Sequence, residues 1–373
     1  MTGTYRDMKK ILTTGGALLL TTTLAHAGGL DRSGQPIGAI FENGDYVEFS
    51  YGYVMPEIDG TFMGTESGNV AEDYTQVGAA FKSDFGNGLS AAFIIDQPYG
   101  AAVSYEEGTG YPVAGANAKV NSYGLTGLVR YEFTPNFSAH GGLRAVRVDG
   151  NYNPAATYDA VYDEDLGTGY VAGVAYEREE IALRVALTYS SEIEFELDGE
   201  ADAVVPIPVA PGFAAITTDT TLETTMPESI NLDFQSGVAA DTLVFGSVRW
   251  TAWDGVELVD TWVRDVAGGD PLVSYDNDVY TYTLGIGRRL TEQLSASFSV
   301  GYEAATDEPA SNLAPTDGYI SYAVGASYDI GNGAEVSGGI RYVNVGDATT
   351  EGFGGEFEDN SVVAVGMKLA YNF

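Results

Sequence analysis

The sequence predicts an all-β protein, a transmembrane antiparallel β-barrel of about fourteen strands of the outer-membrane type. Three observations carry this prediction: how the chain ends, how it begins, and how its connections alternate in length. The end reads VAVGMKLAYNF. Val363, Val365, Met367, Leu369, Tyr371 and Phe373 point one way, and Ala364, Gly366, Lys368 and Ala370 the other. A strand that finishes on an aromatic carboxy-terminus reads as the closing strand of such a barrel, with its apolar face on lipid and its polar face on a lumen. Tyr371 and Phe373 would then be the insertion signal read by the barrel-assembly machinery.

The beginning agrees. Arg6, Lys9 and Lys10 precede an apolar or hydroxylated stretch from Ile11 to Leu24, and Ala25-His26-Ala27 is an A-x-A cleavage signal. Met8 also opens a complete signal, MKKILTTGGALLL. The expected domains are a signal peptide at 1–27, a short plug or hatch segment at 28–45, and a barrel at 46–373. Nowhere do about 18 apolar residues run together as a spanning helix requires.

Alternating segments begin near Asp45, Tyr74, Leu89, Val120, Phe137, Gly169, Ile181, Ser229, Thr242, Asp278, Leu294, Gly318, Ala334 and Ser361. The connections between them are short and long in strict turn. FGNG (85–88), TPN (134–136), REE (178–180), AAD (239–241), TEQ (291–293) and GNG (331–333) are short. Residues 57–72, 106–117, 150–166, 198–225, 255–274, 305–316 and 347–359 are long. Short periplasmic turns and long extracellular loops are the asymmetry of an outer-membrane barrel, and an even strand count puts both termini in the periplasm. A soluble β-sandwich also has many short strands, but it explains neither this alternation nor the aromatic end.

Composition narrows the class. The chain has 48 Gly, 25 Tyr and no Cys, with mean hydropathy near zero. Secretion without cysteine argues against a small disulfide scaffold. Glycine suits lumen and turns, and tyrosine suits interfacial girdles. A net charge of −36 excludes nucleic-acid binding through a basic surface. The acidity concentrates in the long loops, where Arg264 is the one basic residue. That is a solvated rim, or a face bridged by divalent cations to lipopolysaccharide.

Three blocks in order resemble the FadL/TodX family of outer-membrane transporters of long-chain fatty acids and other hydrophobic molecules. In residues 169–199, Gly173, Tyr176, Glu177, Leu187, Tyr189, Ser191, Leu197 and Gly199 carry the likeness. In residues 226–255 Pro227, Glu228, Trp250 and Trp253 carry it. A third block runs from Asp276 to the end and includes APTDG (314–318). The resemblance implies a fourteen-strand monomeric barrel that passes an apolar cargo without a cofactor. Family members usually carry a longer amino-terminal hatch with an Asn-Pro-Ala element. Here only residues 28–45 precede the first strand, and Gln35-Pro36 stands where that element is expected.

The third segment, LSAAFIIDQPYGAAVSY (89–105), contains a break. Pro98 has no N–H for the ladder and Gly100 no side chain to pack. The family resemblance reads Asp96, Pro98, Tyr99 and Gly100 as a lateral opening toward lipid; an ordinary rim bulge is the plainer reading. Phase along the strands turns Arg130, Arg144, Arg184, Arg289, Arg341 and Lys368 inward. Guanidinium forks suit a fatty carboxylate, or they brace the wall against carboxylates such as Glu132 and Glu303. His140, the single histidine after cleavage, lacks partners for hydrolase or zinc chemistry, so no catalytic or metal site is expected. The competing readings are a general diffusion porin and a structural or adhesive barrel. An apolar lumen pocket marks the transporter, an open charged bore the porin, and ordered loops over a filled barrel the third. The predicted orientation is checked by cysteines at Thr220 and Asn332 on whole cells: an impermeant maleimide is expected to label the first and not the second.

Overall fold

Tight turns join long antiparallel strands at one end of the molecule. Asn87-Gly88 and Asn332-Gly333 each place two successive residues at positive φ, the two-residue hairpin geometry that matches the strand twist. The computed structural model describes residues 30–373 apart from 156, 207–211 and 307; the expected signal peptide lies outside the described residues. Fourteen strands run up and down: β1 (Tyr46–Glu57), β2 (Tyr74–Gly86), β3 (Leu89–Asp96, continued by Gly100–Ser104), β4 (Asn117–Glu132), β5 (Phe137–Asn153), β6 (Tyr158–Arg178) and β7 (Leu183–Ser190, continued by Ile193–Pro206) form the first seven. The others are β8 (Phe213–Met226, continued by Ser229–Ala239), β9 (Thr242–Thr251), β10 (Val279–Arg289), β11 (Leu294–Glu303), β12 (Tyr319–Gly331), β13 (Ala334–Val345) and β14 (Ser361–Asn372).

Each strand pairs antiparallel with its sequence neighbour, and β1 closes the ring on β14 from Tyr46–Asn372 to Glu57–Ser361. Closure leaves no open edge, which is the condition for a sheet in lipid. Phe49, Phe81, Phe93, Leu125, Tyr170, Leu187, Leu284, Val324, Ile340 and Leu369 all point outward and are exposed. Such a continuous apolar belt is a lipid-facing surface. At its lower edge Phe373 stacks on Tyr371 (5.7 Å) and on Phe81 (6.5 Å). By the usual asymmetry of these barrels, the tight-turn end is periplasmic.

Three long connections expected as loops are largely strand. β6 starts at Tyr158 rather than near Gly169, and β7 runs to Pro206. β8 starts at Phe213 rather than near Ser229. The starts expected near Val120 and Ile181 move to Asn117 and Leu183. Residues 57–72 form a hairpin, Asp59–Phe62 with Thr65–Asn69, in a four-stranded sheet with Ala348–Thr349 and Glu356–Phe357.

The physical reason is an inversion of polarity. Within the belt, Arg184, Ala186, Thr188 and Ser190 of β7 face in, and Leu187 faces out. Above it, Ile193, Phe195, Leu197, Ala201 and Ala203 face in, while Glu194, Glu196, Asp198, Glu200 and Asp202 face out. The phase changes between Ser190 and Ile193. β6 changes phase where Val148–Gly150 of β5 oppose Asp165–Tyr162, and β8 changes between Met226 and Ser229. Above the changes the barrel is filled by two apolar clusters. One holds Tyr158, Tyr162, Phe195, Leu197, Leu222, Met226 and Trp253, and the other Val54, Val70, Tyr105, Tyr111, Val343 and Phe357. Gly167 makes room for the first: a Cβ there would lie 2.3 Å from Ile193.

Asp260, 1% exposed, ties this outer core together. One carboxylate oxygen accepts the hydroxyls of Tyr158 and Tyr162, each at 2.5 Å. The other accepts Thr220 Oγ1 at 2.7 Å and the Val263 N–H at 2.9 Å. Thr220 is therefore buried, and the exposed Met63 replaces it as the outer labelling position. Asp260→Ala strands four donors, each costing about 1–3 kcal/mol when buried without a partner. Protease cleavage within 255–275 is expected to accelerate while the barrel keeps its heat-modifiable mobility on gels; unchanged cleavage would show that Asp260 does not hold this segment.

Candidate functional site

Below the outer core, the lumen is occupied by the amino-terminal segment. Gly38–Phe41 makes one 3₁₀ turn with Ile37, Ala39, Ile40 and Phe41 buried. They sit on small inward residues of four strands and two larger ones: Ala80, Ala92, Ala175 and Ala186 with Ile94 and Leu128. Phe41 has the guanidinium groups of Arg130 and Arg184 over its ring, each 4.9 Å from the centroid, and His140 edge-on at 5.5 Å. The segment leaves at the periplasmic base, where Asp45 accepts Ser83 Oγ (2.8 Å) and the Asp84 N–H (2.9 Å). Those two bonds hold the Asp45 carboxyl below its ordinary range. This anchor is present at neutral pH and is lost as pH falls through that lowered value.

The upper end of the segment meets the break in β3. β2 and β3 pair regularly up to Ala79–Ile95. Above that pair, the next backbone bridge joins Ala71, which precedes β2, to Val103 of β3. In between, the Val77 N–H takes the side-chain carbonyl of Gln97 at 2.8 Å in place of a backbone partner. β3 turns inward there. Asp96, Pro98, Tyr99 and Gly100 are all buried, and the hatch supplies the missing strand. Asp31 bridges Tyr99, the Arg32 N–H donates to Pro98 O (2.8 Å), and the Gly100 N–H donates to Leu30 O (2.8 Å). The absent Cβ of Gly100 leaves space for the Arg32 guanidinium, 2.6 Å from where that atom would be; Arg32 lies 4.0 Å over the Tyr74 ring.

Side chains fasten the same junction. Ser33 Oγ donates to Asp96 at 2.6 Å, and Gln35, at positive φ, donates from its amide to the Tyr99 hydroxyl. Arg249 of β9 crosses the lumen to the hatch. It pairs with Asp31 at 2.6–2.7 Å and also donates to Ser229 (3.0 Å) and Asn231 (2.7 Å), while Asn231 donates to Gly34 O (3.0 Å). Arg249 is the residue that sequence reasoning missed. It shares the inward phase of Phe245, so alternation along β9 could have found it.

The six expected lumen cations divide by place. Arg130 is buried and paired with Glu177 and Glu132, and it also donates to Ser138. Arg144 is buried and donates to Thr126 at 2.8 Å. Arg289 sits near the periplasmic rim, paired with Asp241 of the β8–β9 turn, rather than beside a cargo path or Glu303. Glu303 instead accepts from Thr281 at 2.7 Å. Arg184, Arg341 and Lys368 line one cavity of about 250 Å³, where Lys368 pairs with Glu48 at 2.8 Å and Arg184 donates to Gln235 at 3.3 Å. The other walls of that cavity are mostly apolar, with Ile37, Phe41, Ile94 and Phe245. Its lining includes inward Gln76 and Gly78 and the outward Val77, Ala79 and Ile95 of the same two strands.

Residues 49–373 match the family described as outer membrane protein transport protein (OMPP1/FadL/TodX). Among solved structures, a Pseudomonas aeruginosa FadL homologue is similar at 14% identity and a TM-score of 0.74, over 96% of this chain and all of that one. The Pseudomonas putida toluene transporter TodX is similar at 11% identity and 0.67, over 96% and 100%. The Ralstonia pickettii toluene transporter TbuX is similar at 14% and 0.64, over 95% and 98%. No curated protein matches the chain by sequence. The Arg249–Asp31 pair makes the hatch testable. Arg249→Gln leaves a buried carboxylate without its cation, a loss of about 3–5 kcal/mol. Amide exchange over residues 30–36 is expected to quicken and to recover in the Asp31→Asn/Arg249→Gln double variant; protection unchanged by the single substitution would show that the pair does not seat the hatch.

Proposed function

Because the chain belongs to the OMPP1/FadL/TodX family, it is an outer-membrane transporter of hydrophobic compounds, and we propose that its cargo rests in the lumen cavity and leaves sideways between β2 and β3. The observation that carries this reading is the lining of that cavity by both faces of the wall where the ladder is interrupted. Asp96, Pro98, Tyr99 and Gly100 hold β3 inward, so an apolar molecule in the cavity meets lipid without crossing an unbroken sheet. Passage is passive: transfer from water to hydrocarbon favours escape by about 25 cal/mol per Å² of apolar surface.

Long-chain fatty acids are among the proposed cargo. Arg184, Arg341 and Lys368 are the cations placed to meet a carboxylate, whereas Arg130, Arg144 and Arg289 brace the wall. The filled outer end fits the structural or adhesive reading in part, but family and cavity favour transport. An open charged bore, the mark of a diffusion porin, is not present among the described residues. In this reading Tyr371 and Phe373 engage the assembly machinery, and the acidic outer strands face lipopolysaccharide across divalent cations. The barrel acts as a monomer.

Uptake of a fatty acid and of its matching alcohol by two variants tests the reading. Pro98→Val/Gly100→Ala restores a donor to β3 and forces Arg32 aside; both cargoes are expected to enter on the order of tenfold more slowly, since sealing a route need cost little over 1.4 kcal/mol. Arg184→Gln is expected to weaken acid binding by roughly 10- to 100-fold, as a charge-assisted hydrogen bond is worth roughly 1.5–3 kcal/mol, and to spare the alcohol. Normal uptake by the first variant with intact barrel content would remove the lateral route, and equal effects of the second on acid and alcohol would remove the carboxylate site.

A further inference from the structure

The wall beside the break carries polar atoms that the rest of the chain leaves unanswered. Among the described residues, the Tyr74 hydroxyl, Gln76 Oε1 and Asp96 Oδ1 are buried and have no hydrogen-bond partner. Tyr74 and Gln76 are successive inward residues of β2, and Asp96 ends the regular part of β3. All three flank the place where the two strands part. Gln97 makes the contrast: its side-chain carbonyl is in use, taking the Val77 N–H. Buried polar groups in native proteins are nearly always bonded, so an idle amide at this position calls for a partner from outside the chain. The local sequence presents that amide to the lumen cavity. Gly52 stands directly across from Gln76 on β1, Gly78 is the next inward residue of β2, and all three line the cavity. Neither glycine has a side chain to cover the amide, so Gln76 rises from a low stretch of wall.

We propose that Gln76 is a specificity-determining residue, and that the cavity takes small, neutral, largely apolar molecules carrying one O–H group, an alcohol or a phenol, whose hydroxyl bonds to the Gln76 amide. This rests on the reading of that cavity as the cargo site. A hydroxyl gives up its water on entering an apolar cavity, which is unfavourable unless a new partner replaces it. A hydroxyl both donates and accepts, so it satisfies the amide in either of its two orientations. A hydrocarbon leaves the amide as it finds it. A carboxylate is badly matched to this stretch of wall: it has no proton to give, and Asp96, which lines the same cavity with one oxygen on Ser33 Oγ, already holds a second acceptor oxygen without a donor. The volume of about 250 Å³ lies below the roughly 300–1,000 Å³ of sites for drug-sized ligands, which favours a short chain or a single ring.

Three probes of one chain length test it: radiolabelled 1-octanol, octane and octanoate, bound at equilibrium to proteoliposomes of the whole barrel, with protein-free liposomes as background. Gln76→Met keeps the length of the side chain and removes the amide. It is expected to weaken octanol binding roughly 3- to 10-fold, as loss of one neutral hydrogen bond does, and to leave octane and octanoate within about twofold. If Gln76→Met fails to insert, Gln76→Leu removes the same amide with the same expectation. A selective loss of octanol supports the assignment. Equal shifts of all three probes, or none, in a barrel that binds them would overturn hydroxyl selection and leave the cavity standing as the cargo site. Binding of none of the three to the unaltered barrel above background would remove the cargo site itself, and hydroxyl selection with it.

Discussion

In hydrocarbon every backbone N–H and C=O must find its partner within the protein, and among the described residues the ladder between β2 and β3 is interrupted. Where β3 leaves β2, the upper edge of β2 would face lipid without a ladder. The sequence answers with three substitutes: a glutamine side chain for Val77, a hatch strand for Tyr99 and Gly100, and a serine hydroxyl bonded to both the N–H and the C=O of Tyr99. The break and the hatch are thus one construction. A residue that cannot donate, Pro98, breaks the wall, and the segment that repairs the break from inside fills the lumen. Residues 30–45 meet the break because the wall itself bends in to reach them.

Much of the frame was legible in advance. Alternation of turns and loops gave the strand number, and outward apolar phase gave the inward cations, because in lipid the two faces of a strand must differ. The break at Pro98 was legible because proline cannot join a ladder. What escaped was whatever did not follow a single phase. Residues 193–206 alternate as regularly as any strand here, yet with acids outside and apolar groups inside, so the upper part, 198–206, read as acidic loop. Arg249 escaped for another reason: its partner, Asp31, lies 218 residues away, and no local pattern announces a pair across a lumen. Gln35-Pro36, read as a weak stand-in for a missing motif, proves to be where the hatch reaches Tyr99.

The charges inside the lumen also sort by environment. Three lumen cations are matched to carboxylates, since an unmatched buried charge is costly: Arg130 to Glu177, Arg249 to Asp31, Lys368 to Glu48. These pairs cross between strands or between wall and hatch, so they brace as well as neutralise. A lumen built this way keeps a cavity that is apolar on most sides while tolerating eight or more ionisable groups around it, as Glu42, Glu48, Asp96, Asp233, Arg184, Arg249, Arg341 and Lys368 show.

The reversal of polarity along β6, β7 and β8 has a consequence for how the molecule is put together. A strand that shows lipid its leucines below and water its glutamates above carries two solubility codes in one stretch of chain. The upper code is that of an ordinary soluble β-protein, with a dry interior, a charged exterior and a buried carboxylate holding four donors. Each phase change therefore acts as a waterline drawn in sequence, fixing how far its strand sinks. Moving one by a single residue would turn acids toward acyl chains on one side of the line and bare the outer core on the other. The depth of the barrel in its membrane is in this sense written at three pairs of residues, 163–164, 191–192 and 227–228, rather than spread along the belt.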